Sequence, residues 1–322
     1  MKACAVSFCN GLGNYIIFSS CLSALHYHFN EKIDLFIDSG WQSKGKEAIE
    51  LMASNNPYVN LKRYPEDFDR NNYEHFYMST HSEFAVDVYK EFLGEEIDMN
   101  KLNSWASTFM SERDFYYLEI IKQFGYRGPI FPQFMPVDEN FKLKEEGIRI
   151  CIANGFQRSH YNTFKRKQYP HFVEVMKSIK KLYDDVQFYI LGGIEDQEWS
   201  YQIVNEIDCI DYAGKLNILE TASVVKQSDL IICNDSSVFH IADALGTRGV
   251  SLFGSTLCSK NKNLNDSIVI LRSSLACSPC QRSVFFSMCA EPSNCMDSIS
   301  PSLVVAAIRK LFNQIIKDKN NA

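Results

Sequence analysis

The stretch that decides the fold is IICNDSSVFHIADALG, residues 231–246. It opens with an apolar run typical of a buried strand, passes through four small polar residues, and continues as a helix that Gly246 is suited to end. His240 falls on the first turn of that helix. The free N–H groups and partial positive charge of such a turn predict a phosphate site, with a plain capped helix as the alternative. Three residues are of types that cap a helix N-terminus: Asp235, Ser236 and Ser237.

The same rhythm of strand, polar loop and helix continues on both sides of this stretch. Strands that alternate with helices predict βαβ units and parallel sheets. In the second half, strands are predicted near 148–153, 187–191 and 250–253, with a last helix from about residue 301. In the first half, strands are predicted near 3–8, 33–38, 59–64 and 75–79, helices near 15–28 and 46–54, and a mostly helical stretch over 83–124.

A proline-punctuated break near residues 128–146 divides the chain. At roughly 100–200 residues per domain, the 322 residues favour two domains, predicted as 1–140 and 146–322. The predicted fold class is α/β, with two doubly wound Rossmann-like domains. Because such sheets bind ligands at the carboxyl ends of their strands, we expect the active site in a cleft between the domains.

Composition excludes several classes of protein. With 46% apolar and 13% aromatic residues, most of the chain is expected to be folded rather than disordered. The formal net charge of −6 argues against nucleic acid as the main partner. No apolar run reaches the roughly 18 residues of a membrane-spanning helix. We read the apolar start of the chain as a strand rather than a signal peptide, and the expected compartment is the cytoplasm.

Two further segments have the composition of ligand loops. Gly11-Leu12-Gly13-Asn14 follows the first predicted strand, and glycines there let a backbone approach a ligand; a structural turn is an equal alternative. A second segment follows strand 148–153 and is rich in basic residues, in contrast to the acidic chain as a whole. This local positive charge suggests a bound diphosphate, with a solvated loop as the alternative. Its basic residues are Arg158, His160, Lys165, Arg166 and Lys167.

The chain has eleven cysteines, which form two groups. Four are clustered with the spacing C-x2-C-x8-C-x5-C, at Cys277, Cys280, Cys289 and Cys295. Four thiolates at such spacing can enclose one structural zinc or iron ion; buried free thiols and disulfides are the alternatives. A catalytic metal is not expected there, because four cysteines close the coordination shell. Seven lie singly in apolar stretches, as buried thiols do: Cys4, Cys9, Cys21, Cys151, Cys209, Cys233 and Cys258.

The residues from Asn234 to Thr247, followed by 250–256, resemble the signature of glycosyltransferase family 9, which includes the ADP-heptose:lipopolysaccharide heptosyltransferases. The resemblance covers nearly all of 145–310, but only the opening of the first half. Other segments match the family in order and spacing: Gly11–Asn14, Lys167–Pro170, Leu191–Gly193 with Glu195, Tyr212–Leu216 and Cys295–Ile299.

The resemblance implies a GT-B fold of two facing domains, with the acceptor on the N-terminal domain and the nucleotide-sugar donor on the C-terminal one. It implies inverting transfer of a sugar, heptose being favoured, from an ADP-sugar to a hydroxyl of a lipopolysaccharide core or other surface glycan. No catalytic metal is expected. An acceptor in the inner leaflet would bring the enzyme to the cytoplasmic face of the membrane, as a peripheral contact.

Residue roles also follow from the resemblance. The expected catalytic residues are Asn14, Lys167 and Asp235, where Lys167 neutralises the leaving phosphate. Asp235 is expected to hold the diphosphate and sugar together with Ser236, Ser237, Val238 and His240. The remaining expected donor-binding residues are Gly11 and Gly13 in the first loop, and Glu195, Lys215 and Leu216 at the nucleoside.

One departure from the family bears on the mechanism. Asn14 stands where characterised heptosyltransferases have an aspartate base, and an amide has no useful basicity. Another base is then needed, with Asp38, His81 and Glu83 as candidates. The alternatives are a transferase that uses another nucleotide sugar or a protein acceptor, and a nucleotide-sugar binder that has lost catalysis.

Overall fold

The computed structural model describes residues 2–7, 11–37, 45–79, 111–144, 147–155, 166–258, 265–280, 289 and 294–320. The described residues divide into two compact units, one up to Pro136 and the other from Val137 onward. Both units have parallel sheets with helices between the strands, so the predicted α/β class is confirmed.

The first unit has a four-stranded parallel sheet in the order β3-β2-β1-β4. Its strands are β1 (Ala3–Ser7), β2 (Ile33–Ile37), β3 (Val59–Lys62) and β4 (His75–Ser79). Its helices are α1 (Leu12–Phe29), α2 (Lys46–Ser54) and α3 (Glu112–Phe124), with a short 3₁₀ turn at Arg70–Asn72. The predicted helical stretch over 83–124 is seen as α3, and its part before residue 111 lies outside the described residues.

Helix α1 is buried over most of its length, from Tyr15 to Leu25. Its Phe18 ring stacks on Tyr77 of β4 at 5.8 Å and meets the edge of Tyr116 of α3 at 5.2 Å. The helix begins at Leu12, three residues before the predicted start. The predicted glycine turn was wrong in this respect, because the buried packing of α1 outweighs the low helix propensity of Gly13.

Glu119 of α3 is half-buried beside β4, where it accepts a hydrogen bond from the Tyr77 hydroxyl. Burial raises the pKa of Glu119 from its ordinary 4.5 to about 8, although the Tyr77 bond opposes this shift. The folded state therefore holds a proton that the unfolded chain has lost, so stability should fall as the pH rises from about 5 to 8.

Urea unfolding at several pH values tests this prediction, with Glu119→Gln as the comparison variant. Because glutamine does not titrate, the difference in stability between the wild type and the variant should move against the wild type as the pH rises. A difference that stays constant from pH 5 to pH 9 would show that Glu119 is ionised in the folded state.

The second unit has a six-stranded parallel sheet in the order β10-β9-β8-β5-β6-β7. Its strands are β5 (Ile148–Ala153), β6 (Val186–Leu191), β7 (Ile210–Asp211), β8 (Leu230–Asn234), β9 (Gly249–Phe253) and β10 (Ile268–Arg272). Its helices are α4 (Phe172–Leu182), α5 (Gln197–Val204), α6 (Ile218–Gln227), α7 (Ser237–Leu245), α8 (Asn294–Asp297) and α9 (Pro301–Asn320), with a 3₁₀ turn at Ile194–Asp196.

Successive side chains of β5 point to opposite faces of this sheet, as in any β-strand. Ile150 and Ile152 join the apolar core that α4 and α9 cover. Cys151 lies between them and points to the opposite face, where its sulfur is 2.9 Å from the Ser228 hydroxyl after α6. Burial raises the pKa of Cys151 to about 12, so this thiol is neutral and unreactive.

Gly249 of β9 lies against Ile231 of β8 with no room for a side chain. A Cβ at this position would lie 2.5 Å from the carbonyl oxygen of Ile231 and 2.3 Å from its side chain. We expect Gly249→Ala to destabilise the second unit by about 1–3 kcal/mol through overpacking. Gly246→Ala is the control, since nothing lies within 4 Å of its Cβ position and only the φ of +71° is unfavourable. Thermal unfolding of the two variants would contradict the account if Gly249→Ala were the more stable.

Among the described residues, no helix is both long enough and apolar enough to cross a membrane.

Candidate active site

The candidate site lies where the strand order of the second unit reverses. Strands β5 and β8 are neighbours there, and the chain leaves them toward opposite edges of the sheet. This reversal is the position at which open α/β sheets bind ligands, outside the carboxyl ends of the strands. Asn154 directly follows β5, and Asp235 directly follows β8. The sequence signature therefore falls at the reversal point.

An ion pair between Lys167 and Asp235 is the central feature of this edge. The Lys167 Nζ lies 2.6 Å from Oδ2 of Asp235, and the two side chains are 17% and 2% exposed. Burial by itself raises the pKa of Asp235, but Lys167, His240 and the Thr256 hydroxyl outweigh it and hold that pKa at about 2. Asp235 is thus a carboxylate at any physiological pH.

Two asparagines hold the segment that carries Lys167. Asn234 donates from Nδ2 to the carbonyl oxygens of Gly155 (2.8 Å) and Lys167 (2.9 Å). Asn154 accepts from the N–H of Tyr169 at 2.8 Å and donates to its carbonyl oxygen at 2.9 Å. The Tyr169 hydroxyl in turn donates to the carbonyl of Ile299 at 2.9 Å. The basic segment is therefore fixed at its C-terminal end from Arg166 onward, and Arg166 itself is buried.

The predicted solvated-loop alternative does not fit this part of the segment, since Arg166 and Lys167 lie against the sheet edge. Arg158, His160 and Lys165 fall outside the described residues. Two residues of the segment Lys167–Pro170 thus have separate purposes: Lys167 faces Asp235, and Tyr169 anchors the backbone.

The N-terminus of α7 lies beside this pair. Ser236 occupies the N-cap position, but its side chain makes no capping hydrogen bond to the first turn. Its hydroxyl instead donates to the carbonyl oxygen of Asn234 at 3.5 Å, so the prediction of a side-chain cap was wrong for this residue. Ser237 and Val238 begin the helix, and His240 is buried on its first turn. N–H groups without a side-chain cap suit an anionic ligand.

The two loops of the expected nucleoside pocket are packed together. Gly214 donates its N–H to the carbonyl oxygen of Gly192 at 2.9 Å. Its φ is +69°, and a Cβ there would lie 2.9 Å from the Cα of Ile194, so glycine is required. Glu195 follows on the first loop and is half-buried. The second loop carries the other two predicted residues, Lys215 and Leu216.

Lys215 is exposed and its Nζ lies 3.1 Å from Oδ2 of Asp211. Leu216 is half-buried. The fold thus brings together Glu195, Lys215 and Leu216 on adjoining loops after β6 and β7, two strands along the sheet from the ion pair. Their roles at a nucleoside remain predictions.

The first-unit residues lie at the carboxyl end of β1. Gly11 is the N-cap of α1, and Gly13 and Asn14 belong to its first turn. The Asn14 amide donates to the carboxylate of Glu112, the first residue of α3. Sequence reasoning missed Glu112, because 98 residues separate it from Asn14. The alternative bases Asp38, His81 and Glu83 lie outside the described residues.

Two of the four clustered cysteines, Cys280 and Cys295, lie near the end of β9. A Cβ on Gly254 would lie 2.7 Å from the Cys295 sulfur, and Cys280 donates its N–H to the carbonyl of Ser255 at 3.1 Å. Burial raises the pKa of both Cys280 and Cys295, and the nearby Cys289 raises each pKa further. Cys277 is exposed.

These cysteines do not meet the requirement of a metal centre as the structure places them. In the described part of the chain, no three or more His, Cys, Asp or Glu side chains are arranged to hold an ion. The ten cysteines that the structure describes are free thiols, so the disulfide alternative is not observed for them. The structural zinc or iron remains a prediction of the spacing.

Comparison with known proteins agrees with the sequence motifs. The model of "Glycosyltransferase family 9 (heptosyltransferase)" matches residues 156–287. Lipopolysaccharide heptosyltransferase 1 of Campylobacter coli is 24% identical over 250 residues, which are 74% of this chain and 65% of that protein. Lipooligosaccharide heptosyltransferase 2 of Haemophilus influenzae is 23% identical over 112 residues, 33% of this chain and 32% of that protein. The chain thus spans between about a third and two thirds of the curated relatives it matches.

Solved structures share the fold across nearly the whole chain. ADP-heptose lps heptosyltransferase II of E. coli has a TM-score of 0.69 at 16% identity, covering 99% of this chain and 100% of that one. The E. coli heptosyltransferase WaaC with ADP has a TM-score of 0.65 at 10% identity, covering 97% and 100%. The iron-containing dodecameric glycosyltransferase TibC from enterotoxigenic E. coli H10407 has a TM-score of 0.62 at 16% identity, covering 98% and 78%.

These likenesses confirm the GT-B fold class predicted from the motifs. With the family match over residues 156–287, they also confirm the predicted resemblance: the chain is similar to the heptosyltransferases of glycosyltransferase family 9.

Proposed function

We propose that this chain is an inverting glycosyltransferase that moves a sugar from an ADP-sugar to a hydroxyl of a lipopolysaccharide core or another surface glycan. Heptose is the favoured sugar. The observation that carries the proposal is the Lys167–Asp235 pair beside the N-terminus of α7, at the reversal point of the second sheet. The proteins of similar fold include one solved with ADP and one solved with ADP-D-beta-D-heptose.

Positive charge at this edge meets the chemical demand of the reaction. As the bond between the sugar C1 and the phosphate oxygen breaks, negative charge develops on the departing diphosphate. In our proposal the Lys167 ammonium and the N–H groups at Ser237 and Val238 stabilise that charge, in a partly dry site where such interactions are strong. This stabilisation requires no catalytic metal, because the lysine and the N–H groups supply the positive charge.

Asp235 has a different role from the one suggested by the resemblance alone. With a pKa of about 2 it is an anion, and an anion repels a diphosphate. We therefore assign it to orienting Lys167 and to accepting hydrogen bonds from sugar hydroxyls. His240 and Ser236 lie on the same helix end and complete the donor contacts, while Glu195, Lys215 and Leu216 are assigned to the nucleoside.

The remaining assignments rest on the two units taken separately. The second unit, predicted as 146–322, is assigned to the donor, and the first, predicted as 1–140, to the acceptor. The carboxyl end of β1, with Gly11, Gly13 and Asn14, is the assigned acceptor edge. An acceptor in the inner leaflet implies a cytoplasmic enzyme that contacts the membrane surface peripherally.

Incubation of the purified chain with ADP-heptose and lipopolysaccharide from a heptose-deficient strain tests the proposal. We expect release of ADP and a mass gain of one heptose in the lipopolysaccharide, with the anomeric configuration inverted. If the chain transferred sugar only from another nucleotide sugar, heptose would be the wrong sugar but the reaction would still be a sugar transfer. Tight binding of ADP-heptose with no transfer to lipopolysaccharide, to a protein or to water would favour the non-catalytic binder.

The metal at the cysteine cluster is a separate proposal, which draws on the spacing and on the iron-containing TibC. The arrangement of the described cysteines does not support it. Elemental analysis of the folded chain decides: about one zinc or iron per chain supports the metal, by the four-ligand argument. Metal-free protein with four titratable thiols in this segment would exclude it.

A further inference from the structure

Asn14 lies at a ligand-binding edge of the first unit. The strand order β3-β2-β1-β4 makes β1 the strand from which the chain turns to both sides, and Asn14 is on the first turn of α1 after it. The side chain is partly exposed. An acceptor bound at the carboxyl end of β1 would therefore contact Asn14.

The amide of Asn14 has a defined orientation. Its Nδ2 donates to Oε1 of Glu112 at 2.5 Å, which leaves Oδ1 turned away from the carboxylate. Oδ1 lies on the side of Gly11, where a Cβ would be 3.5 Å from it. Asn14 therefore presents a hydrogen-bond acceptor toward the glycine loop and a donor toward Glu112.

Glu112 is a buried carboxyl group at a helix N-terminus. It is 2% exposed and is the first residue of α3, where the helix N-terminus stabilises negative charge. The Tyr116 hydroxyl donates to the same Oε1 at 3.1 Å. Elsewhere on α3, Arg113 and Asp114 pair with one another at 3.4 Å.

Three other titratable groups on the packed elements are Tyr15, Tyr117 and Glu119. Tyr15 of α1 is buried beside Asn14 in sequence. Glu119, two turns further along α3, bonds to Tyr77 of β4, and Tyr117 bonds to Ser20 of α1. In the described part of the chain, the carboxylate bonded to the Asn14 side chain is that of Glu112, through a single hydrogen bond.

We propose that Asn14 and Glu112 together do the work of one carboxylate base: Asn14 contacts the acceptor hydroxyl, and Glu112 is the positioning residue that receives the proton through it. This inference rests on the proposed function, because it assigns a proton path to that same transfer. It explains how a chain with an amide at position 14 retains the general base that inversion requires.

The proton path balances as follows. The acceptor oxygen forms its bond to the sugar C1 while the bond from C1 to the diphosphate oxygen breaks, and ADP departs with that electron pair. The acceptor's proton passes to Oδ1 of Asn14, and the Nδ2 proton passes to Oε1 of Glu112. Asn14 is left as its imidic tautomer and Glu112 as the neutral acid. Return of the Nδ2 proton from Glu112 and release of the Oδ1 proton to water restore both side chains.

Three variants test the pair in the ADP-heptose assay, with release of ADP measured with heptose-deficient lipopolysaccharide and with water alone. Glu112→Gln keeps the hydrogen bond from Asn14 but removes the base, so kcat should fall about 10²-fold or more. Its KM for ADP-heptose should stay near the wild-type value. Asp114→Asn, on the same helical turn, is the matched control and should behave as wild type.

The exchanged pair separates a proton path from a structural contact. In Asn14→Asp/Glu112→Gln the carboxylate and the amide trade places, and we expect most of the lost kcat to return together with an acidic limb in the pH–rate profile. Glu112→Gln alone should lack that limb. In Asn14→Asp alone, two carboxylates at hydrogen-bond distance share one proton, so the acidic limb should move to higher pH.

The outcomes distinguish the two levels of the account. An active wild type with Glu112→Gln equally active, or with an unchanged pH profile, would overturn the role of Glu112 and leave the proposed function intact. The same holds if Glu112→Gln loses activity only in proportion to lost folded protein, measured by thermal unfolding. A wild type that binds ADP-heptose and neither transfers nor hydrolyses it would overturn the proposed function and this inference together.

Discussion

Replacing Lys167 by alanine should lower kcat for sugar transfer by about 10²–10³-fold, the usual cost of removing one group that stabilises developing negative charge. The reason is geometric. Lys167 is held by the carbonyl contact from Asn234 and by the ion pair of 2.6 Å to Asp235, so its ammonium lies beside the uncapped start of α7. Steady-state kinetics with ADP-heptose measure the effect, which should exceed any change in KM.

Lys177→Ala is the matched control for this experiment. Lys177 also pairs with a carboxylate, Glu206 at 2.7 Å, but both side chains are about half exposed and lie on α4 and after α5, away from the reversal point. Its loss should leave kcat unchanged. If Lys167→Ala transferred sugar as fast as Lys177→Ala, the electrostatic account of the leaving group would fail.

The stability of the folded chain should respond unequally to the two halves of the ion pair. Removing one partner of a buried pair costs about 3–5 kcal/mol when the other charge stays buried. Asp235 is 2% exposed and cannot reach water, whereas the longer Lys167 is 17% exposed and can. Lys167→Ala should therefore be more destabilising than Asp235→Ala, and the double variant should be more stable than Lys167→Ala.

The contribution of Asp235 to stability depends on pH with opposite signs in the wild type and in Lys167→Ala. In the wild type the pKa of Asp235 is about 2, below its ordinary 3.8, so the stabilisation is complete above that ordinary value and is lost as the pH falls toward 2. Without Lys167, burial is the largest remaining influence and raises that pKa, so acid should stabilise Lys167→Ala relative to the double variant. Urea unfolding between pH 4 and pH 8 measures this difference. If the free energies of unfolding of Lys167→Ala and the double variant changed equally with pH, Asp235 would not be a buried, unpaired carboxylate in Lys167→Ala.

Periodicity and short-range motifs were sufficient to predict the parallel sheets and the polar residues at the carboxyl ends of their strands. The run Ile231–Cys233 is a buried strand because both faces of a parallel sheet are covered by helices. The polar residues after it lie at the strand's carboxyl end for the same reason that Asn154 lies after β5. Each inference needs only neighbours in sequence, and the structure bears out the positions of these strands.

Periodicity and short-range motifs could not predict contacts between residues that are far apart in sequence. Nothing local to Glu112 marks it as a partner of Asn14, since the helix start that Ser111 caps has the pattern of any capped helix. Thr256 was named only as part of the signature, although its hydroxyl helps to hold the pKa of Asp235 low. The missing capping bond from Ser236 is a local effect: its hydroxyl turns back to the carbonyl of Asn234, two residues earlier, and the residue type alone does not choose between these two local bonds.

The measurement that tests the central claim most directly is calorimetric binding of ADP, UDP, GDP and CMP to the wild type and to Asp235→Ala, with Asp208→Ala as the control. Asp208 also pairs with a lysine, Lys180 at 3.5 Å, but it is 89% exposed. We expect the wild type and Asp208→Ala to bind ADP selectively. Asp235→Ala should bind it at least about tenfold more weakly, a loss of about 1.4 kcal/mol, because Lys167 is no longer held at the start of α7. Failure of every nucleotide to bind, or equal ADP affinity in all three proteins, would contradict a donor site at this edge of the sheet.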